Sequence, residues 1–285
     1  MLEQELKEVV DRLKSKNFRG EVIKNCLKER LQLIVLDFIY SSGYRDLIFT
    51  GGSCLRFCHK LNRLSEDLDL DAVKKTDKQK LVKELSEYFG KKLKYQNLEA
   101  SISGRGEKIY LKFPLLEKLG LSNRGESNKL YLKVEIETVN FKKFKTENVP
   151  IIQDGFSFFV KKYDLPSLMS GKIAALLARS FKKGKGDKIT FKGRDYYDLI
   201  WYLDKAVIPN FPYLKEMTGL SGLEEVFKAL DGKVRKVNKT YLKQDIEPLF
   251  ESKSFASDFA KNFKDLYREK SKIIIQTKTA PERTL

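Results

Sequence analysis

Gly51, Gly52 and Ser53, followed by Asp67, Asp69 and Asp71, are residues whose types and spacing suit phosphate chemistry. Two glycines after the apolar run Leu47-Ile48-Phe49 let the backbone turn tightly and approach a ligand, and Ser53 offers a hydroxyl as a helix cap or to phosphate oxygens. A helix starting there would present its first N–H groups to an anion. Thirteen residues separate Ser53 from Asp67, where carboxylates alternate with Leu68 and Leu70. On an extended strand that alternation puts Asp67, Asp69 and Asp71 on one face and the leucines on the other. Carboxylates two apart can hold Mg²⁺ beside a triphosphate, whose phosphates complete the shell of a hard cation.

The elements that must position these residues follow from periodicity. Residues 1 to 17 read as an amphipathic helix striped by Leu2, Leu6, Val9, Val10 and Leu13, and Gly20 breaks it. A more apolar helix over about 21 to 42 is expected behind the glycine turn. After the Asp-x-Asp strand, Thr76 is placed to cap a helix running to about Phe89. Residues 92 to 116 contain strand-like pieces, notably Lys108 to Phe113, and Glu117 to Asn128 reads as a loop. Lys129 to Val139 alternates again, with aliphatic residues on one face and Lys133, Glu135 and Glu137 on the other. Phe156 to Val160 reads as a further strand. Near Asp164 the pattern changes to nearly all helix, which divides the chain into a mixed α/β domain over 1–163 and a helical domain over 164–285.

In the second domain a helix from Pro166 to Phe181 carries Lys172 and Arg179, seven apart and so on one side. A helical lysine usually lifts its ammonium to solvent; the other reading is a phosphate contact. The basic, glycine-containing loop Lys182 to Arg194 follows, suited to RNA phosphates or to a solvated linker. Asp195 and Asp198 then share a helix face, and Asp195 could also serve as an N-cap. Leu214 to Leu230, Val234 to Phe250 and Ser254 to Ile275 read as helices broken by Gly219, Gly222, Gly232 and Pro248, with frayed residues from Gln276. Lys233, Arg235, Lys236, Lys239 and Lys243 form a basic cluster.

Composition removes several classes. The chain has 285 residues, enough for two cores, with 41% hydrophobic and 33% charged residues. No apolar run could cross a bilayer and the start lacks a signal peptide's apolar core, so a cytoplasmic location is expected. Cys26, Cys54 and Cys58 form no disulfide framework, and with His59 as the single histidine neither a zinc site nor a Ser-His-Asp hydrolase is expected. Lys and Arg outnumber Asp and Glu by 56 to 39, a net charge of +17, which favours a polyanionic partner.

Gly-Gly-Ser followed by Asp-x-Asp resembles the signature of polymerase-β-type nucleotidyltransferases. The wider context, Gly51-Gly52-Ser53-Cys54-Leu55-Arg56 and Arg63-Leu64-Ser65-Glu66-Asp67-Leu68-Asp69, resembles the AbiEii/MenT branch, the nucleotidyltransferase toxins of type IV toxin–antitoxin and abortive-infection systems. Lys172-x-x-Ala-x-x-x-Arg179 and Arg194-Asp195-x-x-Asp198-Leu199 match further motifs of that family in order, and Lys133-Val134-Glu135-Ile136-Glu137 matches a third except that Glu137 replaces an asparagine.

The resemblance implies an α+β fold, a polymerase-β-like domain with a mixed sheet flanked by helices, followed by a helical domain that completes the active site and binds RNA. It implies transfer of NMP from an NTP with Mg²⁺ or Mn²⁺. Gly51, Gly52 and Ser53 would hold the triphosphate, with Arg56, Arg63 or Lys172 neutralising charge. Asp67 and Asp69 would ligate metal, Glu135 would be the third carboxylate, and Asp195 would position Lys172. The acceptor implied is RNA, foremost the tRNA 3′ end, so that translation stops, and an antitoxin protein would neutralise the toxin. A protein-nucleotidylating enzyme of the AMPylator kind would keep the same site, and a non-catalytic RNA-binding protein would keep the same fold.

Overall fold

In the computed structural model of the protein, the residues described are 2–103, 108–122, 125–179 and 191–279. Contacts divide the chain into two compact units. Residues up to Asn140 together with Thr146–Lys162 form one, and Phe141–Lys145 with the chain from Tyr163 onward form the other. The fold is α+β. Among the described residues no helix is long and apolar enough to cross a membrane.

The first unit opens with α1 (Leu2–Ser15), whose stripe buries Leu2, Leu6 and Val10, and α2 (Gly20–Tyr40), which is buried on most of its surface. Gly20 therefore starts the second helix. Then come β1 (Ile48–Thr50), α3 (Gly51–His59), β2 (Asp67–Ala72) and α4 (Lys78–Lys91). Asp77, not Thr76, caps α4: its carboxylate accepts the Lys80 N–H at 3.0 Å. The remaining strands are β3 (Glu99–Ser103), β4 (Lys108–Pro114), β5 (Lys129–Thr138), β6 (Thr146–Gln153) and β7 (Phe156–Tyr163). β3 and β6 are the two outermost strands, and neither shows the clean alternation that makes β2 and β5 readable in sequence.

The seven strands form one mixed sheet in the order β3-β4-β5-β2-β1-β7-β6. β2 runs antiparallel to β1 and parallel to β5. Leu68 and Leu70 of β2 and Leu130, Leu132, Val134 and Ile136 of β5 are buried, and α2 packs on β5. Each buried aliphatic side chain contributes roughly 1.5–3 kcal/mol, and this row fixes which strand face the carboxylates must take. Polar side chains of α2 pin the ends of the central strands. Gln32, fully buried, donates to the carbonyls of Ser65 and Asp67 at 3.2 and 3.3 Å. The Tyr40 hydroxyl lies 2.9 Å from the Leu47 carbonyl and 3.0 Å from that of Lys161, holding the chain before β1 beside β7.

The second unit contains α5 (Leu165–Ala178), α6 (Gly193–Asp204), α7 (Phe211–Thr218), α8 (Leu223–Arg235), α9 (Lys239–Ile246), a short 3₁₀ turn (Glu247–Leu249) and α10 (Lys253–Thr279). Asp164 caps α5, accepting the Ser167 N–H, and Pro166 sits in the first turn. α5 stops at Ala178, short of the expected Phe181, and Arg179 is its C-cap. The expected breaks at Gly219 and Gly222 are present: Gly219 takes the left-handed conformation that ends α7, and Gly222 is the N-cap of α8. Gly232 does not break α8, and α10 continues through Gln276 to Thr279. Tyr197, Phe250, Phe259 and Phe263 supply an aromatic core, with the exposed Phe255 at its edge. The segment Phe141–Lys145 packs here: Phe144 meets Tyr163 and Tyr213 edge-on, and Asn210 donates to the Lys143 carbonyl at 2.9 Å.

Glu29 of α2 is a junction in the first unit. Its carboxylate accepts from Arg56 Nε at 3.0 Å and Nη2 at 3.3 Å, and from the Ser65 N–H at 3.1 Å. Burial pushes the Glu29 carboxyl up despite the opposing Arg56 charge, so the ion pair is expensive to desolvate and costly to break. Glu29→Ala is expected to lower stability by about 2–3 kcal/mol in urea denaturation, and Glu29→Ala combined with Arg56→Met to recover part of that loss.

Candidate active site

The register of β1 on β2 pairs Thr50 with Asp69, so the chain enters α3 at Gly51 directly beside that carboxylate. Gly51 has φ +74°, and a methyl group there would fall on the Asp69 carboxylate. A methyl on Gly52 would fall on the Arg63 guanidinium. Close approach therefore demands both glycines. Ser53 follows within the first turn of α3 and is wholly buried, and its Oγ has no hydrogen-bond partner among the described residues. It does not cap the helix, since Thr50 holds the N-cap position. A buried hydroxyl without a partner costs about 1–3 kcal/mol unless a ligand or water satisfies it.

The three cations expected near phosphate are placed differently. Arg63 is nearly fully buried and donates to the Leu64 carbonyl at 2.9 Å, with its guanidinium against Gly52. Arg56 is committed to Glu29 and donates its third bond to the Leu61 carbonyl at 3.1 Å. Lys172 belongs to the helical unit.

On the polar face of β2 and β5 the register sets Asp67 opposite Lys133, Asp69 opposite Glu135 and Asp71 opposite Glu137. Lys133 bridges: its ammonium lies 3.1 Å from Asp67 Oδ2 and 3.1 Å from Glu135 Oε1. Lys108 of β4, paired with Glu135 in the register, reaches the same oxygen at 3.2 Å. Burial favours the neutral forms of Glu135 and Lys133, yet their opposed charges prevail. The Glu135 carboxyl is held below the usual carboxylate range by Lys133 and Lys108, and the Lys133 ammonium is pushed up by Asp67 and Glu135. Among the described residues no three His, Cys, Asp or Glu side chains converge in a group that could hold a metal ion. Asp67, Asp69 and Glu135 share a face, with the Lys133 ammonium between Asp67 and Glu135. The donor chemistry nonetheless fits a hard cation: carboxylate oxygens line the space, and a cationic group already stands in it.

Within the helical unit, Lys172 of α5 lies 2.7 Å from Asp195 Oδ1 and 2.8 Å from Asp198 Oδ2. The Arg179 guanidinium also pairs with Asp195. Both aspartates are buried, and their spacing of three brings them together on α6. Asp195 is in the first turn rather than at the N-cap, which is Lys192. The loop Lys182 to Arg194 falls outside the described residues as far as 190, and in its last part the Arg194 N–H donates to Asp245 at 3.3 Å.

The ion pairs of Lys133, Lys108 and Glu29 are not legible in the sequence. Lys133 carried a signal, being two residues from Glu135 and so on the same strand face, but its pairing with Asp67 depends on the parallel register of β2 and β5.

The sequence pattern of the family described as nucleotidyl transferase AbiEii toxin, type IV TA system, matches residues 37–273. The chain belongs to this family. The AbiEii chain is accordingly a nucleotidyltransferase of the toxin–antitoxin class, a class whose members have an antitoxin partner and whose chemistry uses an NTP and a divalent metal. Its fold is similar to that of MenT4, a nucleotidyltransferase toxin from Mycobacterium tuberculosis H37Rv, with a TM-score of 0.55 at 16% identity, covering 95% of this chain and 98% of that one. A crystal structure of JHP933 from Helicobacter pylori also matches, with a TM-score of 0.49 at 14% identity over 89% of this chain and 94% of that one. No curated protein sequence matches the chain.

The glycine turn of the AbiEii chain can be tested by adding single methyl groups. Gly51→Ala is expected to destabilise the protein by about 1–3 kcal/mol, because it combines left-handed backbone with a clash on Asp69. Gly43→Ala, where nothing lies within 4 Å of the added carbon, is expected to leave the thermal midpoint within about a degree.

Proposed function

We propose that this AbiEii protein transfers NMP from an NTP to the 3′ end of an RNA, with tRNA as the main acceptor, in the presence of Mg²⁺ or Mn²⁺, and so blocks translation and growth until its antitoxin binds. The observation that carries the reading is the pairing of Thr50 with Asp69, which sets the Gly51-Gly52-Ser53 turn against a carboxylate-bearing strand.

The chain's own residues have separable roles. Backbone N–H groups of the turn and the Ser53 hydroxyl bind phosphate oxygens, satisfying a group that is otherwise buried without a partner. Asp67, Asp69 and Glu135 supply the carboxylates, and Arg63 supports the turn. Lys172, fixed by Asp195 and Asp198, is the phosphate-binding cation of the helical unit. A bound divalent cation would neutralise charge on the triphosphate and on the leaving pyrophosphate. In the reaction the RNA hydroxyl oxygen bonds to the α-phosphorus, the bond from that phosphorus to the bridging oxygen breaks, and pyrophosphate departs. The hydroxyl proton passes to a carboxylate of the site or to solvent.

RNA is favoured over a polypeptide acceptor by charge. The net +17 suits a polyanion, and a cleft of about 540 Å³ in the helical unit is lined by Arg235, Lys264, Arg268 and Lys272 against Asp231.

The test uses the protein with Mg²⁺, total tRNA and each NTP labelled at the α-phosphate, resolved on denaturing gels. Label on tRNA is expected, reduced at least a thousandfold in Asp69→Ala with the fold retained. Asp195→Asn is expected to reduce it about a hundredfold, since Lys172 keeps Asp198. Label confined to protein would move the acceptor to a polypeptide. Full toxicity and labelling by Asp69→Ala would sink the catalytic assignment.

A further inference from the structure

The space between β2 and β5 already contains a cation, and it is covalently part of the chain. Lys133 projects from β5 two residues before Glu135, and its ammonium is equidistant, at 3.1 Å, from Asp67 of the neighbouring strand and Glu135 of its own. Its side chain is four-fifths shielded, as are those of both partners, so water screens the interaction weakly. Lys108 adds a second ammonium to the same Glu135 oxygen from the far side, on β4. Two of the three carboxylates proposed for metal therefore face lysines instead of converging on a common point.

We infer that Lys133 is a resident counter-cation: it holds Asp67 and Glu135 in the nucleotide-free protein and competes with a divalent metal ion for their oxygens. A divalent ion coordinated by Asp67 and Glu135 requires the ammonium to leave the position midway between them, because one oxygen pair cannot bind both cations at contact distance. The free protein thus binds divalent metal weakly. The competition is electrostatic and local, so Lys133 acts as a positioning residue through Asp67 and Glu135.

This inference rests on the carboxylate roles given under the proposed function, but its readouts need no turnover. The experiment titrates Mn²⁺ into nucleotide-free protein and measures free Mn²⁺ by electron paramagnetic resonance, for wild type, Lys133→Met and Lys133→Arg. Lys133→Met is expected to bind one Mn²⁺ at least tenfold more tightly than wild type, whereas Lys133→Arg, which keeps the charge, stays close to wild type. The Mn²⁺-induced rise in melting temperature should be larger in Lys133→Met for the same reason. A purely structural ion pair would lower the melting temperature of Lys133→Met without changing its Mn²⁺ affinity, and that result overturns the proposal. Lys133→Gln is neutral and can still hydrogen-bond both carboxylates, so it serves if methionine is not tolerated. In the wild-type protein the ¹⁵Nζ resonance of Lys133 should move on saturation with Mg²⁺, and an unmoved resonance at saturation also overturns it. If wild type transfers no nucleotide while Lys133→Met gains affinity, the transferase reading falls and the resident cation stands; the reverse pair of results separates them the other way.

Discussion

Like charge on neighbouring strands is the constraint that shapes the sheet-bearing unit. Asp67, Asp69 and Asp71 of β2 lie opposite Lys133, Glu135 and Glu137 of β5, so five carboxylates and one lysine occupy six facing positions. Two carboxylates on strands about 4.8 Å apart repel by roughly 3 kcal/mol at the effective dielectric of a protein surface. The aliphatic residues on the other face of the same strands are buried, so the sheet cannot slip by one residue to spread these charges without exposing its core. Core packing concentrates the negative charge, and Lys133 with Lys108 makes that concentration tolerable.

The helical unit meets the same problem with a different geometry. Asp195 and Asp198 are both buried and only one turn apart, and Lys172 stands within 2.8 Å of each, with Arg179 on Asp195 as well. Buried charges of this kind seldom add net stability over apolar residues of the same size, because desolvation offsets their attraction. What they provide is position: the Lys172 ammonium is held between two acceptors on α6 and cannot wander as a surface lysine does. In the helical unit the charged group that suits phosphate chemistry is fixed by ion pairs before any ligand arrives, so less ordering remains to be done on binding, whereas in the sheet unit the Lys133 pairs hold the carboxylates apart from any metal.

Elements carrying strong periodicity were legible in the sequence. β2 and β5 declare themselves by strict alternation, α1 by its apolar stripe, and the start of α3 by paired glycines after an apolar run. β6 was not legible as a strand, and β3 only as part of the strand-like stretch 92–116, since edge positions are half exposed and impose no strict pattern. Gly219 and Gly232 look alike in sequence, yet one ends a helix in left-handed backbone and the other lies inside α8. Site residues separated along the same line. The glycine turn and the Asp-x-Asp strand could be read locally. The commitment of Arg56 to Glu29 and of Lys133 to Asp67 could not, because each joins segments whose spacing in the chain says nothing of their distance in space.

The two charge scales of the molecule do different work. An excess of 17 positive charges acts over about a Debye length, roughly 8 Å at physiological salt, and raises the encounter rate with any polyanion without choosing among them. The carboxylate and lysine pairs act at about 3 Å and are shielded from salt, and on the proposed function they are the groups a cation or phosphate must meet. On the proposed function, a triphosphate drawn in by the long-range field meets a turn where Ser53 lacks a hydrogen-bond partner and where two glycines let Asp69 and Arg63 pack directly on the backbone. Attraction at range is nonspecific, and selection is left to groups whose partners are already fixed by the register of β2 and β5. It follows that altering surface lysines should change how fast an acceptor arrives, while altering that register would change whether the chemistry can occur at all.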